Sequence, residues 1–453
     1  MKPRKPALSS QLESHRREIA RCVRCGVCRA VCPSFQPERE ESFSPRGRIA
    51  LIHALLDKRL PLSGIFTDRL ATCTSCLACE TACPGNVPVT AIIQAAKEDA
   101  VRSSGRGLIS RFVTAALTND HAMRSLAWLA PVVLRYAGMK GGKRFRISDF
   151  GLRIEERGAG RENEKSAGSK GRIAFYPGCA IKHFQPDIGA AAVVVLERIG
   201  YEVVVLDDAA CCGRPLLSLG DREAAQAVAE RNQQLFASLQ VDRVVTACAS
   251  CGLIFKKEYP TLLALSGAMP VLDIHEVLAE AMPAFPPGTR EQRVTWHDPC
   301  HLGRGQGLAK TARSVLGSIP GIELVETAHP GQCCGFGGVM RIGHHRLSNA
   351  IGDARAEDLI KTVAPIVVTG CPGCRMQLAE ALKRAGSDAV VLHTVQVIEE
   401  AMRISDCGMR TRINASSETK LASSSVHSRL IRPELFLNLR LENSKLFRIE
   451  KLD

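Results

Sequence analysis

Eight cysteines near the N-terminus fall into two runs of identical spacing. The first is Cys22, Cys25, Cys28 and Cys32 followed by Pro33; the second is Cys73, Cys76, Cys79 and Cys83 followed by Pro84. Each reads C-x-x-C-x-x-C-x-x-x-C-P. That spacing wraps three thiolates around one face of a 4Fe–4S cubane and sends the fourth to a neighbouring cluster. The runs therefore assign Cys22, Cys25, Cys28 and Cys83 to one cluster, and Cys73, Cys76, Cys79 and Cys32 to the other. Structural zinc uses paired C-x-x-C motifs separated by a loop, not triplets. Disulfides need an oxidising compartment and bridgeable Cα pairs, which closely spaced turn cysteines do not supply.

Ten further cysteines form an internal repeat from Arg172 onward. The first copy runs Cys179, Cys211-Cys212-Gly213 and Cys248-Ala249-Ser250-Cys251; the second runs Cys300, Cys333-Cys334-Gly335 and Cys371-Pro372-Gly373-Cys374. Matching cysteines are offset by 121, 122, 122, 123 and 123 residues, one period held at five positions. Downstream, Val271-Leu272 through Met282 mirrors Val391-Leu392 through Met402.

The elements that must position these thiols follow from periodicity. Residues 8–21 read as a short helix entering the first run. Ser44-Pro45-Arg46-Gly47-Arg48 opens a helix carrying Ile49, Leu51, Ile52, Leu55 and Leu56, and Val89–Val101 reads as another. Helices between the runs predict a helical ferredoxin domain rather than a compact β-rich one. Each repeat reads as α/β. In the first, Ile173–Tyr176, Glu202–Leu206 and Val244–Thr246 are strands, with helices over Ala190–Ile199 and Arg222–Leu239. In the second, Val294–Trp296 and Ile366–Val368 are strands flanking a helix over His344–Thr362. Cysteines then sit beyond the C-terminal ends of strands, where open α/β sheets place their sites. Gly178, Gly213, Gly335, Gly337, Gly338 and Gly373 would admit positive φ and close approach of a bulky cofactor.

The fold expected is therefore α+β multidomain: a helical dicluster 4Fe–4S ferredoxin domain followed by two repeated α/β domains. The boundaries read as 1–110 for the ferredoxin-type domain, 111–139 for an apolar helical segment and 140–171 for a basic linker. The repeats occupy 172–285 and 286–403, and a disordered or weakly helical tail 404–453 holds the bystander Cys407. The apolar stretch 112–139, broken by Pro131 and Arg135, falls short of the ~20 apolar residues of a spanning helix. It reads as a helical hairpin closing the ferredoxin domain, or as an interfacial or docking surface. With no apolar signal region over Met1–Arg21, a cytoplasmic chain is expected, with peripheral contact at the inner face of the membrane left open.

Net charge is +14, with +4 over residues 1–21, +5 over 140–172 and +3 over 404–453. Twelve of the 14 charges thus lie in flanks and linkers, which argues against a basic groove for nucleic acid. A solvated segment, an acidic partner or an anionic membrane surface fits them better.

The two cysteine runs, the Ser44-Pro45-Arg46-Gly47-Arg48-Ile49 segment and the paired C…CCG…C-x-x-C repeats resemble the iron–sulfur subunit of bacterial glycolate oxidase. They resemble equally the iron–sulfur subunits of lactate and anaerobic glycerol-3-phosphate dehydrogenases and the catalytic subunit of heterodisulfide reductase. The resemblance spans about residues 15–403. In that superfamily the repeats are CCG domains, and in the heterodisulfide reductase version five cysteines per repeat hold a non-cubane 4Fe–4S cluster. Carried over, those ligands are Cys179, Cys211, Cys212, Cys248 and Cys251, then Cys300, Cys333, Cys334, Cys371 and Cys374.

The resemblance implies an electron-transfer subunit of an oxidoreductase. An FAD-binding hydroxy-acid dehydrogenase partner would be the donor, and a quinone or another carrier the acceptor. Glycolate oxidase subunits often carry depleted CCG motifs, whereas both here are complete, which favours a disulfide-reducing or quinone-facing role. No G-x-G-x-x-G follows a strand, and Gly303-Arg304-Gly305-Gln306-Gly307 has the wrong spacing, so no dinucleotide site is expected on this chain. A zinc-binding scaffold is the non-redox alternative, disfavoured by thiolate number and spacing. His297, His301 and His329 lie beside CCG cysteines. Histidine can ligate iron or shuttle a proton, though an outer hydrogen-bond donor or a loop residue is the plainer reading; His275 and His344 have weaker claims.

Overall fold

In the N-terminal part, short helices hold the cysteine turns against three longer ones. The computed structural model describes residues 10–119, 122–123, 170–262, 264, 269–282, 285 and 291–402, all within one unit, Met1–Ser405. Ser44 caps the Pro45–Leu56 helix, its Oγ accepting from the Gly47 amide at 2.9 Å, with Pro45 where no amide is needed. Ser63 caps Gly64–Ala71 in the same way. These two helices and Val89–Ser104 bury Ile52, Leu70, Ile92 and Ile93, together with Leu12 and Ile19. The expected entry helix over 8–21 is two five-residue helices, Ser10–Ser14 and Arg16–Ala20, separated at His15.

Each repeat is a four-stranded parallel sheet flanked by helices. The first contains β1 (Arg172–Phe175), β2 (Glu202–Val205), β3 (Arg243–Thr246) and β4 (Val271–Asp273), in the order β2-β1-β3-β4. The second contains β5 (Gln292–His297), β6 (Ile322–Val325), β7 (Ile366–Thr369) and β8 (Val390–His393), in the order β6-β5-β7-β8. Registers match: Phe175 pairs with Val205 and Val245, and Thr295 with Val325 and Val367. Strand order reverses between β1 and β3, and between β5 and β7, so each sheet opens a crevice at its C-terminal edge there. One apolar cluster runs through both repeats, from Ile173 and Phe175 to Val395 and Ile398. The two sheets are therefore halves of one packed body.

Of the apolar segment, the helix Leu108–Thr118 is seen, with Leu108 and Phe112 exposed. The remainder of 111–139 apart from 119 and 122–123, the linker through 169, and the tail with Cys407 lie outside the described residues. No single described helix is long and apolar enough to cross a membrane. The bent pair Gly178–Phe184 and Pro186–Arg198 has the composition, but it packs in the first repeat's core.

Candidate iron–sulfur sites

One cavity in the N-terminal domain is lined by Cys32, Cys73, Cys76 and Cys79, the set read from the spacing, together with Ser34, Arg48 and Thr90. Burial pushes the Cys79 thiol well above its usual range, and the neighbouring Cys73, Cys76 and Cys32 add to the shift. For Cys32 burial again raises the pKa, while the Arg48 guanidinium and the Ser34 hydroxyl oppose it. Arg48 is only 1% exposed. Its donors go to neutral acceptors: the Arg69 carbonyl at 2.8 Å, Ser34 Oγ at 3.0 Å and Thr72 Oγ1 at 2.7 Å. A buried cation with no carboxylate among these partners suits a site that becomes negative when filled.

The other set is partly gathered. Cys22, Cys28 and Cys83 pack against the same apolar cluster, and Cys25 is exposed. The chain after Cys83 is tied to the residue before Cys22: the Arg21 guanidinium donates to the carbonyls of Gly85 and Asn86, both at 2.7 Å. Gly26 takes a left-handed φ of +89°, and a Cβ there would lie 2.8 Å from the Arg46 guanidinium.

In the first repeat the thiols follow one another through the crevice. Cys211 Sγ lies 3.9 Å from Cys179 Sγ. Cys211 neighbours Cys212, Cys212 neighbours Cys251, and Cys251 neighbours Cys248. The turns that aim them are fixed by side chains. Asn232 Nδ2 donates to the Cys211 carbonyl at 3.1 Å and the Tyr259 hydroxyl to the Cys212 carbonyl at 2.9 Å. Gly213 and Gly335 follow the paired cysteines at φ of +89° and +82°. At Gly335 a Cβ would sit 2.6 Å from the Ser348 carbonyl, so only glycine makes this turn.

The second repeat repeats the series. Cys300 neighbours Cys333, Cys333 neighbours Cys334, and Cys334 Sγ lies 3.3 Å from Cys374 Sγ, which neighbours Cys371. Two junctions were not expected from sequence. Cys248 and Cys371 interact across the boundary between repeats. Cys76 of the N-terminal domain packs on Cys333, with Ala78 and Cys300 beside them. Backbone contacts reinforce this second junction: Arg304 Nη1 donates to the Cys76 carbonyl at 3.3 Å, and His301 Nε2 lies 3.2 Å from the Ser75 carbonyl.

All 18 described cysteines are free, and most are buried among other thiols. Ionising such groups in an apolar interior is unfavourable unless a cation joins them, and a coordinated thiol is deprotonated outright. The donor set therefore fits iron–sulfur clusters.

Of the histidines, burial, together with nearby Arg214, pushes His301 down to about 4, and its Nδ1 lies 2.9 Å from Ser250 Oγ. His297 is fully buried next to Cys334 and Cys374. His329 has 77% of its side chain exposed and reaches Asp358 instead. His275 pairs with Asp273 and Thr394, and His344 with Asp68. The arginines Arg48 and Arg355 went unread in sequence, although a signal existed. Leu347, Ile351 and Leu359 lie four and eight residues apart, which places Arg355, midway between the last two, on the same buried face.

Comparison with known proteins agrees with this geometry. A family model described as a 4Fe-4S dicluster domain matches residues 18–87, and one described as a cysteine-rich domain, CCG, matches 173–256 and again 294–379. The chain thus carries a 4Fe-4S dicluster domain followed by two CCG domains. It is 29% identical over 400 residues to a fumarate reductase (CoM/CoB) subunit of Methanothermobacter marburgensis, covering 85% of this chain and 73% of that one. It is 27% identical to a probable glycolate oxidase iron-sulfur subunit of Bacillus subtilis, covering 85% and 94%. It is 26% identical to a subunit of the dihydromethanophenazine:CoB--CoM heterodisulfide reductase of Methanosarcina barkeri, covering 86% and 95%. The CCG chain thus shares its architecture with iron–sulfur subunits of several oxidoreductases.

Proposed function

We propose that this CCG protein is the electron-transfer subunit of a flavin-dependent complex oxidising a 2-hydroxy acid of the glycolate type. The observation that carries the reading is a succession of neighbouring cysteines that runs from one domain into the next. It starts at the exposed Cys25, passes Cys28 and Cys32 to Cys76, and crosses to Cys333. It continues through Cys334, Cys374 and Cys371, crosses to Cys248, and ends at the half-exposed Cys179. Clusters held along it would supply one-electron transfer, matching a two-electron flavin donor to a distant acceptor.

The chain's own part is to hold ligands in order and exclude water between them. Cys22, Cys25, Cys28 and Cys83 would hold the entry cluster, and Cys32, Cys73, Cys76 and Cys79 the next. The five cysteines of each CCG repeat would hold one further cluster apiece. Partner subunits, a flavoprotein at the Cys25 side and a quinone or other carrier at the far end, follow from this reading and from relatives that are themselves named as subunits.

A second reading has its own support. Cys248 and Cys371 face each other between two complete CCG motifs, a place where a disulfide could accept two electrons and two protons to give two thiols. One experiment separates the readings. The complex is isolated anaerobically with its partners, iron is counted, and visible and EPR spectra are followed as donors are added. About 16 iron atoms per chain are expected with four sites filled, and about 8 with the dicluster domain alone, at four per cluster. Reduction by glycolate with a flavoprotein present supports the first reading; reoxidation by a disulfide without one supports the second. Absence of iron would sink both.

A further inference from the structure

His297 closes β5, is fully buried, and has one ring nitrogen used and one idle. Nδ1 accepts the Nε–H of Arg355 at 3.1 Å. An arginine can only donate, so this nitrogen carries no proton and the ring proton lies on Nε2. Arg355 cannot swing away: it donates to Asp358 at 2.7 Å, Thr327 Oγ1 at 3.0 Å and the His329 carbonyl at 2.8 Å. Nε2 itself is buried without a partner among the described residues. An orphaned buried N–H is costly, and its acceptor must be sought in what the site holds.

The thiols supply the direction. A ring nitrogen of His297 and the sulfurs of Cys334 and Cys374 all lie within 4.8 Å of one another. The three could be read as a metal-binding triad. Ligation through Nε2 would need a lone pair there, which would move the proton to Nδ1 and set two donors face to face with Arg355.

The first repeat shows what the residue does by contrast. Tyr176, offset by 121 residues like Cys179 and Cys300, holds the equivalent place and is also fully buried beside Cys212 and Cys251. Its hydroxyl, however, donates to the Ala210 carbonyl at 2.6 Å. No proton from this position is left for the sulfurs.

We propose that His297 donates an Nε2–H hydrogen bond to the sulfur ligands at Cys334 and Cys374, making the second CCG site easier to reduce than the first. This rests on the reading that both repeats hold clusters. Hydrogen bonds to sulfur stabilise the added negative charge of the reduced state and raise the potential. His297 is thus a positioning and tuning residue, held by Arg355 in the donor tautomer.

The test uses the full chain purified anaerobically with its partners, as wild type, His297→Phe and His297→Gln. Iron is counted and each couple is located by EPR-monitored redox titration. His297→Phe is expected to keep its iron and to lower one CCG couple about tenfold in its reduction equilibrium, about 59 mV for one electron. The dicluster couples should stay in place, and His297→Gln, which keeps an N–H, should recover most of the shift. Pulsed EPR of the wild type gives a second readout that does not depend on any variant folding. An exchangeable proton coupling supports the donor, and a strong 14N coupling of a direct ligand overturns it. Full iron with an unmoved couple overturns the proposal alone. A wild type holding only about 8 iron atoms removes the CCG cluster reading and the proposal together.

Discussion

On the proposed reading, electrons would pass from the dicluster domain to the CCG repeats only while the two stay docked, and Gly220 tests that docking. It lies in the turn between the helices Arg214–Ser218 and Arg222–Ser238 of the first repeat, at φ +79°. A Cβ there would sit 2.6 Å from the Lys97 carbonyl oxygen and 2.7 Å from its carbon, both backbone atoms of the Val89–Ser104 helix. Lys97 Nζ donates back to the Ser218 carbonyl at 3.2 Å, so the helix is held against the turn. Gly220→Ala therefore carries two costs. The left-handed conformation costs about 1–2 kcal/mol for a residue with a Cβ. Overpacking against backbone that cannot rotate aside adds about 1–3 kcal/mol.

Gly386→Ala isolates the second cost. Gly386 has φ +71° with nothing among the described residues within 4 Å of its would-be Cβ, so only the conformational part applies. The urea midpoints of the two variants should differ by the equivalent of about 1–3 kcal/mol, Gly220→Ala being the less stable. Hydrogen exchange should localise the loss, with amides of residues 94–104 opening more readily in Gly220→Ala only. Equal destabilisation of the two variants would refute the close backbone approach and the tight docking inferred from it.

Two further expectations concern other contacts. His393 is fully buried between the repeats, its Nε2–H donating to the Ala247 carbonyl at 2.9 Å and its Nδ1 accepting from the Val395 amide at 3.3 Å. Burial, with His275 close by, lowers its pKa to about 4. The folded state thus binds fewer protons than the unfolded one below about pH 6.5, and this group's contribution is lost as pH falls towards 4, by about 2 kcal/mol at pH 5. The stability advantage of wild type over His393→Gln should shrink accordingly between pH 7 and 5 in urea titrations, and a constant difference would contradict it. Asp221, 2% exposed, accepts from Arg106 and from Thr114 Oγ1, both at 2.8 Å, and caps its helix through the Ala224 amide at 3.3 Å. Asp221→Ala should cost about 2–3 kcal/mol and Asp221→Asn about half of that, measured the same way; a loss under about 0.5 kcal/mol would show the link idle.

How far the sequence carried depends on whether a feature is local. Ligand spacing is local, so the cavity joining Cys32 to Cys73, Cys76 and Cys79 was legible from two runs of text. Strands were legible for the same reason: Ile366-Val367-Val368 is an apolar run buried on both faces, and it is a central strand. Helix starts were less so. The helix expected at Ala190 begins at Pro186, because proline suits a first turn that periodicity alone does not mark. Meetings between distant segments were not legible. Nothing near Cys76 in the chain points to Cys333, since packing between domains is decided by surface shape. The buried arginines fall between these cases. Arg48 precedes Ile52 by one helical turn and was readable as a buried position, but its acceptors come from elsewhere in the chain.

The repeat also explains why the two halves share one core. Gln185 Nε2 of the first repeat donates to the Pro372 carbonyl at 2.8 Å, and Gln306 Nε2 of the second donates to the Ala249 carbonyl at 3.0 Å. Gln185 and Gln306 are equivalent by the repeat, as are Ala249 and Pro372, so each half offers the other the same donor and the same acceptor. This is the isologous pattern of a two-fold dimer, realised within a single chain. Cys248 and Cys371 are likewise equivalent, and they meet each other. A symmetric pair would give electrons no preferred direction. Direction comes from what breaks the equivalence. Cys76 reaches Cys333 of the second repeat, whereas Cys179 of the first, equivalent to Cys300, ends the series half-exposed. On the proposed reading, His297 in place of Tyr176 would raise the potential of the site that Cys76 adjoins, so electrons leaving the dicluster domain would settle there first.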